Sequence, residues 1–262
     1  MIGMYHTGEV IRNTLLCEGY MRMTIKAPET ARSALPGQFV MVKCLTLGAP
    51  FFLRPFSINS TDAQTGTMDL LYKLVGKGTK MMADMQPGGR VYVLGPLGNG
   101  FSLQPRYLSI ALLARGVGAA PMRFFAEYAV KKGLSVYVLL SASREEQLFD
   151  KRIYEDMADV RLYTTIDPNV VVTDRLAEIL SQTRLDAVYT CGSRRVMKRL
   201  LELQKRHGMD CYASLEEHMA CGTGACHACS HYIADERGEN YEVRVCKEGP
   251  VFSLEKAVML HE

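Results

Sequence analysis

The hydrophobic period of this chain changes near residue 100, and that change limits how the chain can fold. Before it, short segments alternate apolar and polar residues: "GEVIRNTLL", "YMRMTIKA", "QFVMVKCL", "PFSINST", "TMDLLYKLV" and "GRVYVLGPLG", separated by Gly, Pro, Asn and Asp. A period of two broken by turn formers is the pattern of an antiparallel barrel or sandwich. After it, "RYLSIALLA" (106–114) and "SVYVLLSA" (135–142) are continuous apolar runs of buried-strand length, each followed by a helical pattern. "VRLYTTID", "DRLAEILSQ", "AVYTCG" and "RRVMKRLLELQKRHG" continue the alternation. Strands alternating with helices predict a parallel sheet with helical crossovers. At 262 residues the chain can hold two such domains and an appendage.

Composition excludes some functions. The net charge is +3 and the 31 basic residues are scattered, which argues against a nucleic-acid face. Met1 to Val10 lacks the order of a signal peptide, and the most apolar stretch, "YLSIALLARGVGAAPM", is interrupted by Arg115 and too short for a bilayer. A cytosolic protein with no membrane segment is expected, and in that compartment thiols ligate metal or do redox chemistry more often than they form disulfides.

Four of the eight cysteines fall within "LEEHMACGTGACHACSHYIADERGENYEVRVCKEGPVF". Cys221, Cys226 and Cys229 are spaced C-x4-C-x2-C, with Cys246 following at a distance. A zinc ribbon presents two C-x2-C pairs, and here only Cys226 and Cys229 have that spacing. Two disulfides do not suit the compartment. The spacing is that of a plant-type [2Fe-2S] loop. Gly222, Thr223, Gly224, Ala225 and Ala228 are small, so the loop can wrap a cluster and aim N–H groups at its sulfurs. His227 invites a two-histidine, Rieske-type reading, but four cysteines are already present, so it is read as facing solvent or standing behind the ligands. Cys17, Cys44, Cys191 and Cys211 read as small buried hydrophobes.

Parallel sheets bind ligands beyond the carboxyl ends of their strands. Gly116 and Gly118 leave one strand there and Gly192 another, where a pyrophosphate can approach backbone N–H groups; a plain tight turn explains them equally well. In the first hundred residues, "FFLRPFSI" (51–58) sets Arg54 in an apolar strand, where a charge needs an anionic partner. "VGKGTKMMADMQPGG" (75–89) places Gly78 and Thr79 at a helix start, with Thr79 as the expected N-cap.

"RPFS", "GKGT", "GVGAAP" and "CGS" before a helix, in this order, resemble the ferredoxin-reductase superfamily. With "CGTGACHAC…VCKEGPVF" added, nearly the whole chain resembles the electron-transfer subunits of NAD-linked (class 1B) bacterial dihydroorotate dehydrogenases. The resemblance implies an α+β multidomain fold: an FAD-binding antiparallel β-barrel (1–102), a central α/β parallel-sheet NAD(P)-binding domain (103–214) and a small C-terminal [2Fe-2S] domain (215–262). It implies that Arg54 pairs with the FAD pyrophosphate, that Pro55 and Phe56 shape the bend beside the ring, and that Ser57 hydrogen-bonds near the flavin's reactive nitrogen. Leu71, Tyr72 and Lys73 would line flavin and ribose, and Gly78 and Thr79 would hold the pyrophosphate. Gly116, Gly118, Cys191 and Gly192 would meet the nicotinamide dinucleotide, and Cys221, Cys226, Cys229 and Cys246 would ligate the cluster. The implied partner is an FMN-containing catalytic subunit that oxidises dihydroorotate for pyrimidine biosynthesis, in a hetero-tetramer with two of each chain. No segment offers a second flavin site or an acid–base pair for that oxidation, so the chain reads as a conduit. Arg115 stands where the family has glycine, and Ser193 where it has proline. Such an arginine can strengthen pyrophosphate binding, select a phosphorylated ribose or obstruct the site, which leaves NAD against NADP open. The alternatives are a subunit of an NAD(P)H:ferredoxin oxidoreductase or sulfide dehydrogenase and, from another class, a zinc-stapled interaction protein.

Overall fold

The computed structural model describes residues 4–167, 169–235 and 237–258. The period-two segments become β1 (Met4–Cys17), β2 (Tyr20–Lys26), β3 (Phe39–Cys44), β4 (Arg54–Asp62), β5 (Thr67–Lys73) and β6 (Arg90–Leu97). They close as an antiparallel barrel in the order β1-β2-β5-β4-β3-β6, so the barrel, not the sandwich, is what the pattern encodes. On β2 the alternation is plain: Met21, Met23 and Ile25 are buried, with polar residues between them. They meet Val40, Val42, Ile58, Leu70, Val91 and Val93 inside the barrel, each contributing about 1.5–3 kcal/mol of burial. Two short helices, α1 (Pro28–Ser33) and α2 (Lys77–Ala83), sit on it.

The second lobe alternates β7 (Ser109–Arg115), α3 (Met122–Lys131), β8 (Ser135–Ser141), α4 (Lys151–Glu155), β9 (Val160–Thr165), α5 (Val172–Gln182), β10 (Ala187–Cys191), α6 (Arg194–His207) and β11 (Asp210–Ser214). Strands β11, β10, β7, β8 and β9 lie side by side and parallel. Because both faces are covered, the strands are apolar throughout: Phe125, Ala126 and Ala129 of α3 cover Ile110, Leu112 and Val138, while α5 and α6 cover the other face around Leu113 and Val188. Helix α6 starts at the Ser193 N-cap, ends in Lys205, Arg206 and His207, and stops at Gly208 with φ 71°, each feature matching the polarity of a helix end.

The third unit is built from β12 (Ser230–Ala234), β13 (Asn240–Arg244), β14 (Val251–Ser253) and α7 (Leu254–Val258). Strands β12 and β13 form a hairpin. Strand β14 leaves the unit and pairs antiparallel with β11, as the edge of the second lobe's sheet. One apolar cluster contains residues of all three units: Phe39, Met41 and Leu97 of the barrel, Ala213 of the lobe, and Ile233, Val243 and Leu254 of the third unit. Asn99 clips the barrel to that unit, its backbone N–H donating to Gly249 O at 2.6 Å and its side chain to Glu248 O at 3.0 Å.

Barrel and lobe are joined by a buried polar lock. The Asp150 carboxylate, with no exposed side-chain surface, takes Arg22 Nη2 at 2.5 Å and faces Arg123 Nη1 at 3.7 Å. Asn59 Nδ2 donates to Asp150 Oδ2 at 3.1 Å and to Ala120 O at 2.9 Å. Asp150 holds φ 62°, a left-handed conformation that Asp tolerates better than most residues. No motif marked this lock, because its members come from four separate segments. Among the described residues, no helix is long and apolar enough to cross a membrane.

Candidate cofactor cleft and cysteine loop

A cleft of about 600 Å³ opens where the three units meet. One wall is the barrel: Arg54, Pro55, Phe56 and Ser57 at the start of β4, Leu71, Tyr72 and Lys73 at the end of β5, and Thr79 on α2. Eight of the nine residues expected at a flavin therefore face one space. The ninth, Gly78, acts from behind. A Cβ on Gly78 would stand 2.2 Å from Arg54 Nε, so only glycine lets the guanidinium cross the first turn of α2. Arg54 Nη1 also donates to Phe52 O at 2.5 Å, which fixes the side chain there.

Thr79 is one turn element further in than expected. The helix starts at Lys77 with Gly76 as N-cap, and Thr79 Oγ1 accepts the N–H groups of Val75 at 3.0 Å and Gly76 at 3.2 Å. Only one half of a capping box is present, since Gly76 has no side chain: the Thr79 hydroxyl, three residues past the cap, folds back on the orphan donors. Deeper in the cleft Phe56 and Tyr72 pack edge to face at 5.7 Å. The Tyr72 hydroxyl donates to Asn13 Oδ1 at 3.2 Å, and burial pushes its pKa up, so it stays protonated. A cation over a helix start, an apolar aromatic floor and the Ser57 hydroxyl are what a dinucleotide with a flat heteroaromatic ring requires.

The opposite wall comes from elsewhere: Val117 and Ala120 after β7, Arg194 at the start of α6, the segment 214–219, and Pro250. Strands β7 and β10 are neighbours, and the chain runs outward from them in both directions, so the loops holding Gly116, Gly118 and Gly192 flank the sheet's switch point. A Cβ on Gly118 would lie 2.6 Å from Cys191 O, so the close approach of these two loops depends on that glycine. Cys191 is buried and its Sγ–H donates to Glu216 Oε1 at 3.8 Å; burial and the Glu216 charge push the thiol up. Sequence reasoning missed Glu216 and its neighbours, since "SLEEHM" carries no motif and is recruited only by the return of the chain from β11.

The cysteine loop lies against the barrel. Gly222, at φ 71°, packs so tightly on Met41 that a Cβ would stand 2.5 Å from its Cγ. Cys229 and Cys246 are buried, Cys221 is half-buried and Cys226 is exposed. Among the described residues no three metal-binding side chains are arranged around a single point. The thiols instead influence one another in two pairs, Cys221 with Cys226 and Cys246 with Cys229. Two sulfurs at each of two positions suit a two-iron centre. Backbone N–H groups already point at sulfur, Thr223 to Cys221 and Cys246 to Cys229, both at 3.4 Å. Burial opposes ionisation of Cys221, but hydrogen bonds from Thr223 and Cys226 outweigh it and bring the thiol down to about 6. Burial and the neighbouring Cys229 push Cys246 up to about 12, so it releases its proton when a cation arrives. His227 holds φ 59° and turns outward to Glu242 at 3.2 Å. Arg244 grips Glu248 through Nη2 at 2.6 Å and reaches Gly224 O at 3.0 Å, bracing the turn that carries Cys246.

A barrel cleft shaped for a flavin dinucleotide, a parallel-sheet nucleotide lobe and a paired-thiol loop define an oxidoreductase of the ferredoxin-reductase type with an added iron–sulfur domain. Residues 7–101 match a family model described as an oxidoreductase FAD-binding domain, and residues 216–258 one described as the iron-sulfur cluster binding domain of dihydroorotate dehydrogenase B. The chain belongs to the family of dihydroorotate dehydrogenase B electron transfer subunits. The subunit named dihydroorotate dehydrogenase B (NAD(+)), electron transfer subunit, of Desulforamulus reducens is 34% identical over 235 residues, covering 88% of this chain and 89% of the relative. That of Geobacillus thermodenitrificans is 31% identical over 254 residues, covering 95% and 97%. Among solved structures, an NADH-dependent reduced ferredoxin-NADP oxidoreductase superposes with a TM-score of 0.81 at 25% identity, covering 95% of this chain and 88% of that one. A ferredoxin NADP+ reductase from Neisseria gonorrhoeae shares the fold, with a TM-score of 0.64 at 18% identity, covering 78% of this chain and 92% of that one.

Proposed function

We propose that this chain passes electrons from an FMN-containing dihydroorotate dehydrogenase catalytic subunit through a [2Fe-2S] cluster and FAD to a nicotinamide dinucleotide, in the cytosol, as two copies of each subunit. The observation that carries the proposal is the shared cleft: the barrel residues, Val117, Ala120 and Arg194 of the second lobe, and the segment 214–219 that leads into the cysteine loop line one space. When bound, flavin exchanges electrons singly with an iron–sulfur centre and in pairs, as hydride, with nicotinamide. The residues of this chain set the geometry. Cys221, Cys226, Cys229 and Cys246 hold the cluster, with Thr223 and Cys246 N–H groups stabilising negative charge on sulfur. Arg54 and the α2 start anchor the FAD pyrophosphate, while Pro55, Phe56, Ser57, Leu71, Tyr72 and Lys73 bound the rest of the cofactor. Gly116, Gly118, Cys191 and Gly192 let the second dinucleotide approach the cleft from the sheet side.

Anaerobically purified chain should carry about one FAD and about two irons. Cys226→Ala should abolish the EPR signal of the reduced cluster and leave FAD bound. Mixed with its FMN subunit, the chain should form a stable complex that reduces nicotinamide dinucleotide with dihydroorotate, while neither the chain alone nor a chain without iron does so. Oxidation of dihydroorotate by the isolated chain, or stoichiometric zinc without acid-labile sulfide, refutes the proposal. The likeness to the NADH-dependent reduced ferredoxin-NADP oxidoreductase supports a second reading, with a ferredoxin-linked companion. Co-purification from the native host decides which companion binds.

A further inference from the structure

Strand β1 pairs with β6 only from Met4 to Glu9; beyond that its edge meets the chain that follows α2, with Val10 bonded to Gly88 and Gly89. Asn13 lies on this stretch, half-buried, although asparagine is depleted in strands. Its Nδ2 lies 2.8 Å from Met82 O, 3.0 Å from Ala83 O and 3.1 Å from Met85 O, the carbonyls at the end of α2. Carbonyls only accept, so the amide nitrogen faces all three, and Oδ1 is left to accept the Tyr72 hydroxyl at 3.2 Å. One side chain thus holds two parts of the cofactor cleft. Helix α2 is two turns long, about 10 Å, so fixing its end fixes its first turn, where Gly78 forms the bed on which Arg54 lies. Tyr72 packs edge to face on Phe56, two residues beyond Arg54.

We infer that Asn13 is a positioning residue for FAD: it sets the span between the Arg54 end of the cleft, which takes the pyrophosphate, and the Tyr72–Phe56 floor, which takes the ring. The inference rests on the proposed seat of FAD in this cleft and adds the residue that spaces its two halves. Asn13 stands outside the cleft lining, so it acts through α2 and Tyr72 and not by touching the cofactor. A dinucleotide is two ligands on one linker, and it outbinds either half only where the two subsites lie at the linker's span. When that span drifts, the linked ligand loses affinity while each half still follows its own subsite. A simple brace of α2 needs only the three carbonyl contacts; the bond to Tyr72 is what ties one subsite to the other. The amide is suited to both tasks, since aspartate would set a carboxylate against three carbonyls and leucine would satisfy neither side.

The test titrates FAD, ADP and riboflavin separately into the full-length, flavin-free chain. Asn13→Leu should bind FAD about tenfold or more weakly than wild type, the penalty for buried groups left unpaired. ADP, which meets the Arg54 end alone, and riboflavin, which meets the floor alone, should each bind as they do to wild type. Tyr72→Phe keeps the contacts of Asn13 with α2 and cuts only the link, by a hydroxyl that points away from the cofactor. It should weaken FAD by about fivefold, the worth of one neutral hydrogen bond, and leave ADP unmoved; it carries the test if Asn13→Leu does not fold. Visible circular dichroism of bound FAD should change in both variants, reporting a shifted ring. Equal losses for FAD and for either half overturn the inference, as does unchanged FAD affinity in the variants. Failure of the wild-type chain to bind FAD overturns the seat itself, and this inference with it.

Discussion

Gly78 is the residue on which the anion site turns. Alanine there suits a helix better than glycine by about 1 kcal/mol, so local propensity predicts a more stable α2. The Cβ, however, lands 2.2 Å from Arg54 Nε and must displace the guanidinium. Gly78→Ala should therefore leave thermal stability of the flavin-free chain unchanged or raised and weaken FAD binding by about tenfold or more, the loss of a charge-assisted contact. Fluorescence titration with FAD checks it; unchanged affinity separates Arg54 from the pyrophosphate. Residue identity at this site was legible where a motif carried it: "RPFS" and the cysteine spacing each named positions that the fold brings to one cleft or one loop. Thr79 was legible as a helix-start residue but not in its position, because capping at the first and fourth residues uses the same amino acids. Glu216 and Asp150 were not legible, since each is defined by a partner from a distant segment.

At the scale of elements, α4 and α3 are joined to β2 and β4 by the Asp150 lock. Asp150→Ala leaves Arg22, its side chain only 18% exposed, without its carboxylate, while Arg123 keeps Glu127 at 2.9 Å and Asp69 at 3.8 Å, and puts alanine in a left-handed conformation. Breaking a buried pair by removing one partner costs about 3–5 kcal/mol. Asp150→Asn keeps the backbone preference and a hydrogen-bonding side chain, and should cost clearly less. Denaturant unfolding of both variants measures the difference; equal costs place the energy in the backbone and not in the ion pairs. The element pattern itself was open to sequence reasoning because the period changes from two to alternating strand and helix. The choice of barrel over sandwich was not, for both bury alternate residues and differ only in closure.

Across the whole molecule the units share one apolar cluster, and the cysteine loop touches the barrel through Gly222 against Met41 and Leu97. Gly222→Val adds a branched side chain where even a Cβ does not fit and where φ is 71°, so the loop must lift from the barrel. Rapid-mixing spectroscopy with NADH should then show flavin bleaching followed by a slowed bleaching of the cluster. Equal cluster rates in variant and wild type would mean that this contact does not set the distance between the two centres.

The pairing of β14 with β11 has a consequence for biogenesis. Strand β14 lies later in the chain than all four cysteines, so a nascent polypeptide completes the sheet of the second lobe only after the whole cysteine loop has left the ribosome. Until then β11 is an open sheet edge, a template for mispairing with other chains. Iron supply and quality control thus meet at one strand: starving cells of iron should yield a precursor that aggregates through β11, and not merely a colourless protein.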